Sequence, residues 1–245
     1  MEVADELSLA WQARVAEWIS SEEAVLPNKH LIAQNYCNFR CSVRTQFPHV
    51  SVLNFHYAYP EAVTDNYGLE KVIAYDETGF LGRDDEAYRR QAWNFMLSGG
   101  GTFDALDYSF NAGHEDGADI EPNGPGGGSA TLRKQLGILK RFLEGFSLAD
   151  LKLDRESMKH ASGAHAHVLS SPGREYAIYL DGSGPTEVRL QLPGGEYSAE
   201  WINVESGVTE RTERFRLSEG IQSLNSPNFK NGIALRIVNL APPAR

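Results

Sequence analysis

The stretch VIAYDE at residues 72–77 is a short apolar run that ends in two carboxylates. Two runs of the same kind precede it, HLIAQN at residues 30–35 and VSVLNF at residues 50–55. Short, nearly continuous apolar runs are typical of strands in a parallel sheet, because such strands are buried on both faces. Each run ends in or is followed by polar side chains, and parallel sheets carry their functional groups at the ends of the strands.

Helical periodicity lies around and between these runs. In the first helix Leu7, Trp11, Val15, Trp18 and Ile19 recur at three- and four-residue spacing, which predicts an amphipathic helix. Alternating strands and helices predict a parallel sheet wrapped in helices. The predicted helices span residues 7–25, 61–70, 84–98 and 130–145, the last capped by Ser129, and a fourth short strand run spans residues 102–107.

After residue 150 the spacing of apolar residues changes to a period of two. Short alternating segments follow one another, separated by turn sequences such as Asp181-Gly182 and Ser206-Gly207. This pattern predicts an antiparallel β-sandwich or barrel. We therefore predict an α/β domain over residues 1–148 and an all-β domain over residues 149–245.

Composition excludes several classes of function. The formal net charge is -10, with 21 acidic and 12 basic side chains in residues 1–148, so the clusters of Lys and Arg that bind phosphate are lacking and nucleic acid is not an expected partner. No run of 18 apolar residues is present, so no membrane span is predicted. The two cysteines, Cys37 and Cys41, are too few for a disulfide framework or a four-cysteine zinc site; we expect ordinary thiols, with a local disulfide as the alternative.

The strongest candidate for chemistry is Glu77, at the end of the VIAYDE run. The sheet would fix its backbone, and a carboxylate in such a position can act as nucleophile or as general acid/base. The alternative is a solvated acid at the end of a strand. Asn54, His56 and Tyr57 occupy the corresponding end of the preceding run. A histidine or tyrosine there can donate a hydrogen bond to the carboxylate and keep it ionised.

A long loop after the fourth run supplies further candidates. Asp107, Tyr108 and His114 mix polar and aromatic groups, as a carbohydrate site requires. A metal interpretation of His114 with its acidic neighbours Glu115, Asp116 and Asp119 is weak, because no second histidine lies at ligand spacing. We predict neither a metal nor a cofactor. The glycine-rich residues 124–128 lack the Lys-Ser/Thr ending of a phosphate loop, so we expect a flexible connection.

Taken in order, these motifs resemble barrel strands five to eight of apiosidase-like and cellulase-like glycosidases, in the large clan of retaining (β/α)8 enzymes. Residues 76–79 (DETG) resemble the strand-seven nucleophile segment, residues 54–57 (NFHY) the end of strand six, and residues 106–110 (LDYSF) the end of strand eight. The tail resembles the β-sandwich fused to such barrels and described as a collagen-binding domain of a collagenase. The resemblance implies an incomplete TIM-type barrel, its C-terminal half, followed by a small antiparallel sandwich. It also implies Glu77 as nucleophile, with Asn54, His56, Tyr57, Asp107, Tyr108 and His114 around the substrate.

The sequence departs from that family because strands one to four, with the glutamate that acts as general acid/base, have no counterpart. We therefore expect a fragment of a retaining glycoside hydrolase for plant or microbial polysaccharide that is inactive or poorly active alone. Its expected partners are an oligo- or polysaccharide and either a missing N-terminal half barrel or a second copy of the chain. Residues 1–6 do not resemble a signal peptide, while the family's members are mostly secreted or periplasmic.

Two other functions fit parts of the sequence. The chain could bind carbohydrate or extracellular matrix through the sandwich if Tyr179, Tyr197 or Trp201 were exposed to stack on sugar rings; the alternative is that these three side chains fill the sandwich core. A peptidase or other hydrolase ranks last, because the His-Glu-x-x-His and Gly-x-Ser-x-Gly motifs are both missing from the sequence.

Overall fold

The computed structural model describes residues 6–37, 42–120 and 123–240. Its first part is a four-stranded parallel sheet whose strands lie side by side in sequence order. The strands are β1 (Ala33–Cys37), β2 (Val52–His56), β3 (Val72–Glu77) and β4 (Thr102–Phe103). The predicted fourth run therefore forms only a two-residue strand, and β1 begins three residues later than the apolar run suggests.

Four α-helices accompany this sheet, close to the predicted positions. Asp84 caps the third helix by accepting from the Glu86 amide, and Ser129 caps the fourth by accepting from the Leu132 amide at 2.8 Å. The helices are α1 (Glu6–Glu22), α2 (Glu61–Asn66), α3 (Asp85–Leu97) and α4 (Ala130–Glu144), and short 3-10 turns span Glu23–Val25, Tyr67–Leu69 and Leu148–Asp150.

The two faces of the parallel sheet differ in chemistry. Leu53, Phe55, Ile73 and Tyr75 belong to a buried apolar cluster that includes side chains of α1, α2 and α3. Since side chains alternate along a strand, Asn54 and Asp76 belong to the opposite face. The sheet is thus apolar toward its helices and polar at the ends of β2 and β3 on the other side.

The apolar face of the amphipathic helix α1 is largely uncovered in the structure. Leu7, Trp11 and Trp18 are 84%, 67% and 65% exposed, and only the small Ala16 of this helix reaches the buried cluster. Periodicity identifies an amphipathic helix, but whether its apolar side is covered depends on which other elements lie against it.

The second part of the chain is antiparallel and forms two sheets. The six-stranded sheet has the order β11-β10-β13-β8-β7-β5, and the three-stranded sheet the order β12-β9-β6. Apolar side chains from both sheets fill the space between them, as in a sandwich. The strands are β5 (Lys152–Leu153), β6 (Met158–Ala161), β7 (Ala164–Ser171), β8 (Glu175–Gly182), β9 (Glu187–Leu192), β10 (Gly195–Asn203), β11 (Thr209–Leu217), β12 (Gly220–Asn225) and β13 (Ile233–Asn239).

A second apolar core joins the two parts of the chain. Trp93 of α3 is fully buried, with ring centroids 5.3 Å from Tyr179 of β8 and 5.2 Å from Phe142 of α4. The six-stranded sheet is therefore covered on both faces, which explains why five consecutive residues of β8 are buried. This cluster contains side chains from both sides of the predicted boundary between residues 148 and 149. The division into two domains at that boundary therefore stays a prediction.

The three aromatic residues considered for sugar stacking are all buried. Tyr179, Tyr197 and Trp201 have no exposed surface, so they fill the cores on the two sides of the six-stranded sheet. Of the two cysteines, Cys37 ends β1 and Cys41 lies outside the described residues. Within the described ranges, none of the helices has the length and apolar character to cross a bilayer.

Candidate active site

Glu77 lies at the C-terminal end of β3, beside the end of β2. Both of its carboxylate oxygens accept hydrogen bonds from the β2 end. The Tyr57 hydroxyl donates to Oε1 at 2.7 Å, and His56 Nδ1–H donates to Oε2 at 2.7 Å. Three of the residues proposed from sequence are thus brought into one network.

A local backbone irregularity makes this arrangement possible. The pairing of β2 with β3 shifts between Phe55 and His56, so that His56 pairs with Glu77 rather than with Asp76. Tyr57 then adopts a left-handed backbone conformation with φ of 54°, and its amide donates to the Glu77 carbonyl at 3.0 Å. Non-glycine residues with a left-handed backbone conformation are strained and are concentrated at functional sites.

The hydrogen bonds decide the ionisation of Glu77. The Tyr57 hydroxyl contributes most and, with the His56 imidazole, holds the pKa of the Glu77 carboxyl below its usual value, although burial acts in the opposite direction. A carboxylate that accepts two hydrogen bonds is stabilised in its charged form. Glu77 is therefore an ionised carboxylate at neutral pH.

Asn54 belongs to a row of polar side chains that reaches Glu77 through Asp76 and His56. Its side-chain amide donates to Asp76 Oδ2 at 2.5 Å and to Asn35 Oδ1 at 3.1 Å, which ties together three neighbouring strands. Asp76 Oδ1 in turn lies 3.5 Å from His56 Nδ1. Asp76 and Glu77 thus both lie against one imidazole nitrogen, so this network contains two carboxyl groups close together.

Tyr108 extends the site by a row of aromatic rings. The Tyr57 ring lies 5.4 Å from the Phe80 ring, and Phe80 lies 6.1 Å from Tyr108 at a steep angle. Tyr57 and Phe80 are each more than one-third exposed. An exposed row of rings beside a carboxylate suits a ligand that has both apolar C–H faces and hydroxyl groups.

Asp107 organises its own loop instead of contacting Glu77. One oxygen accepts from the amide and hydroxyl of Ser109, and the other accepts from Arg133 at 2.6 Å. Burial opposes ionisation here, but the hydrogen bonds from Ser109 and Arg133 outweigh it and lower the pKa of the Asp107 carboxyl. Arg133 also donates to the Gly117 carbonyl and lies over the Phe110 ring, so it binds the loop together.

His114 lies apart from the Glu77 network. Its backbone closes a turn with Asn111, and its side chain is exposed. Among the described residues there is no group of three or more His, Cys, Asp or Glu side chains arranged to hold a metal ion.

The glycine-rich segment before α4 is packed, so the expectation of a flexible connection is wrong. Gly126, Gly127 and Gly128 are buried. A Cβ on Gly126 would lie 1.5 Å from the Gly79 carbonyl oxygen, and a Cβ on Gly128 would lie 2.0 Å from Asp107 Oδ1. These glycines allow the loop to lie directly against the segment that follows Glu77.

Sequence reasoning did not assign four residues that the structure joins to this region. Asn35 and Asp76 end apolar runs, so their positions were a usable signal. Phe80 and Arg133 gave no such signal: Phe80 lies in a loop, and Arg133 is 26 residues from the aspartate it pairs with.

Comparisons with known proteins support the fold. No family model matches this chain, and no curated protein matches it. Among solved structures, the chain is similar to one described as a glycoside hydrolase, with a TM-score of 0.65 and 13% identity over 91% of this chain and 61% of that one. It is also similar to a glycoside hydrolase family 5 structure from Bacteroides vulgatus ATCC 8482, with a TM-score of 0.65 and 15% identity over 98% of this chain and 60% of that one.

The chain therefore spans about three-fifths of the length of these structures. At such low identity the likeness concerns the fold alone. The predicted fold class is confirmed: a parallel sheet with helices that matches part of a glycoside hydrolase fold, followed by a β-sandwich.

Proposed function

We propose that this chain is the part of a retaining glycoside hydrolase that carries the nucleophile, acting on plant or microbial polysaccharide. The observation that carries the proposal is the setting of Glu77. Its carboxylate is ionised, is held through both oxygens by Tyr57 and His56, and lies at the strand-end edge where (β/α)8 enzymes carry their catalytic groups.

In the proposed reaction a Glu77 oxygen attacks the anomeric carbon of a sugar bound beside the aromatic row. The leaving-group oxygen departs with the bonding electron pair, and a glycosyl ester forms on Glu77. Water then attacks the same carbon and releases the carboxylate. Tyr57 and His56 hold the carboxylate in place before attack. Asp76 lies against His56 and accepts a hydrogen bond from Asn54, so these two residues help to position the imidazole.

A second carboxyl group must protonate the leaving oxygen and later activate the water; in retaining enzymes it lies about 5–5.5 Å from the nucleophile. We propose that a preceding half barrel or a second copy of the chain supplies it. The chain alone should then act slowly on ordinary glycosides, whose leaving groups require protonation. It should react faster with glycosides whose leaving groups depart as stable anions.

That difference provides a direct test. The full chain is incubated with 2,4-dinitrophenyl 2-deoxy-2-fluoroglycosides of glucose, xylose and mannose, because dinitrophenolate leaves without a proton and the fluorine slows release of the ester. Intact-protein mass spectrometry should show one added fluorosugar, and peptide mapping should assign it to Glu77.

The matched controls are Glu77→Gln, which should remain unlabelled, and Glu144→Gln, an exposed glutamate of α4 that should label like the parent chain. Failure of all three sugars to label the parent chain, or equal labelling of Glu77→Gln, contradicts the proposal.

The alternative function, binding of carbohydrate or matrix through sandwich aromatics, loses its basis because Tyr179, Tyr197 and Trp201 are buried. We therefore do not propose a sandwich-only binding role, and the collagen-binding description has no support in the fold.

A further inference from the structure

A groove of about 780 Å³ lies outside the Glu77 network, between α3 and strand β7. Its walls come from both parts of the chain: Tyr59 and Leu81 on one side, and Arg155, Met158 and His165 on the other. This volume falls within the range of about 300–1,000 Å³ seen for ligand sites, which form preferentially between domains. The Tyr59 and Leu81 side chains are more than half exposed, so the groove presents apolar surface to solvent.

Two loops connect residues of the candidate active site to residues of the groove. Tyr59 follows Tyr57 by two residues, and Leu81 directly follows Phe80 of the aromatic row. A third connection passes through the protein, because Gln91 of the groove accepts a hydrogen bond at 2.7 Å from Thr78, the residue after Glu77. These connections place part of the groove lining within two residues of the aromatic row beside Glu77.

The polar groups of the groove are fixed and largely compensated in charge. Arg90 donates twice to Asp181, at 2.9 and 3.2 Å, and Asn94 donates to the same carboxylate at 3.1 Å. Burial opposes the ionisation of Asp181, but the hydrogen bonds from Arg90 and Asn94 together outweigh it and lower the pKa of the Asp181 carboxyl. Arg90 and Asp181 neutralise each other, and the two other charged residues of the lining, Asp154 and Arg155, are of opposite sign. The groove therefore carries planar hydrogen-bonding groups but no strong field of one sign.

Fixed planar polar groups next to an exposed tyrosine ring and apolar side chains match the surface of a sugar chain. Hydroxyl groups require both donors and acceptors, while the C–H faces of the rings require apolar contact. An anionic or cationic ligand would gain little here, because the two basic and two acidic side chains of the lining balance in charge.

We propose that this groove binds a neutral oligosaccharide, as the continuation of a chain whose reacting sugar lies at Glu77. The proposal rests on the proposed function and extends it. It assigns the side of the sandwich that faces α3, rather than the sandwich core aromatics, to substrate binding.

The test uses the full chain with Glu77→Gln, which prevents turnover, and three neutral probes: cellohexaose, xylohexaose and mannohexaose. Calorimetry gives the affinity, and NMR follows the Met158 methyl and the His165 imidazole. At least one probe should bind and shift both signals. Adding Tyr59→Ala should weaken that binding about tenfold, since stacking on an aromatic face is lost. Adding Arg155→Ala, a second exposed groove position, should weaken it as well.

Trp18→Ala removes another aromatic residue that is more than half exposed, on α1 and outside the groove lining, and should leave the affinity unchanged. If no probe binds, or if binding leaves the Met158 and His165 signals and the Tyr59→Ala affinity unaltered, the groove proposal is wrong. Covalent labelling reports on Glu77 separately: groove binding without labelling overturns the reaction and leaves the groove assignment standing.

Discussion

Replacing Trp93 by alanine tests whether the two parts of the chain unfold together. Trp93 is fully buried and has its ring close to those of Tyr179 in the sandwich and Phe142 of α4. Large aromatic-to-alanine changes in a core cost about 3–5 kcal/mol, and each favourable ring pair contributes roughly 0.5–1.5 kcal/mol beyond burial. Because the substitution removes the ring that pairs with both Tyr179 and Phe142, the free energy of unfolding should fall by about 4–5 kcal/mol.

Urea denaturation measures this decrease. For a slope of about 2–3 kcal/mol per molar urea, the unfolding midpoint should fall by roughly 1.3–2.5 M. Two probes separate the parts within the Trp93→Ala variant. Far-UV circular dichroism follows the whole chain. Fluorescence follows the sandwich core when Trp11 and Trp18 are also replaced by phenylalanine, because Trp201 is then the remaining tryptophan. Both probes should shift together, because the cluster around Trp93 includes side chains from both parts.

The matched control is Trp18→Ala, the same substitution at a side chain that is 65% exposed, which should shift the midpoint little. The reasoning is refuted if Trp93→Ala lowers the dichroism midpoint but leaves the Trp201 transition in place. The sandwich would then be an independent folding unit, as the predicted boundary at residues 148 and 149 requires.

Three further predictions concern the candidate site and the helix beside it. Tyr57→Phe should raise the pKa of the Glu77 carboxyl, measured by carbon-13 NMR. Because that pKa is lowered in the folded state, the stability that Glu77 contributes is present above the unfolded pKa and is lost as the pH falls through the folded pKa. The variant should therefore be less stable than the parent chain at neutral pH, and the difference should disappear in acid. Gly126→Ala should cost about 2 kcal/mol or more in thermal unfolding, since its Cβ meets a backbone carbonyl, whereas Gly68→Ala meets nothing within 4 Å and should be nearly neutral. Ser129→Ala removes the cap of α4 and should cost about 1 kcal/mol in the same assay.

The strand-end rule predicted the centre of the site because it depends only on local pattern and on the geometry of parallel sheets. Asn54, His56 and Glu77 each lie at or near the end of an apolar run, and neighbouring parallel strands bring such ends together. Asp107 satisfies the same rule at the fourth run, yet Arg133 and Ser109 draw its carboxylate into the loop. That outcome depends on a contact between distant residues, which no local pattern contains.

Burial was harder to predict than secondary structure for a related reason. The apolar faces of α1 and of β8 are both evident in the sequence, but Trp11 is exposed and Tyr179 is fully buried. Helices α3 and α4 cover β8, whereas only Ala16 of α1 reaches a buried cluster. Covering an apolar face is energetically favourable, but whether it is covered depends on which other elements of the fold pack against it.

The groups that surround Glu77 bear on what the chain can do without further protein. Tyr57 and His56, which hold its carboxylate, and Asn54 and Asp76 beneath them all belong to β2, β3 or the residue that follows β2. The hydrogen bonds that keep the Glu77 carboxylate ionised therefore come from residues of the neighbouring strand β2 and the residue after it. The acid that protonates a leaving group has no such local counterpart assigned. Under the proposed function, formation of a glycosyl ester from an activated donor and hydrolysis of an ordinary glycoside should thus separate in this chain, with the first detectable and the second slow.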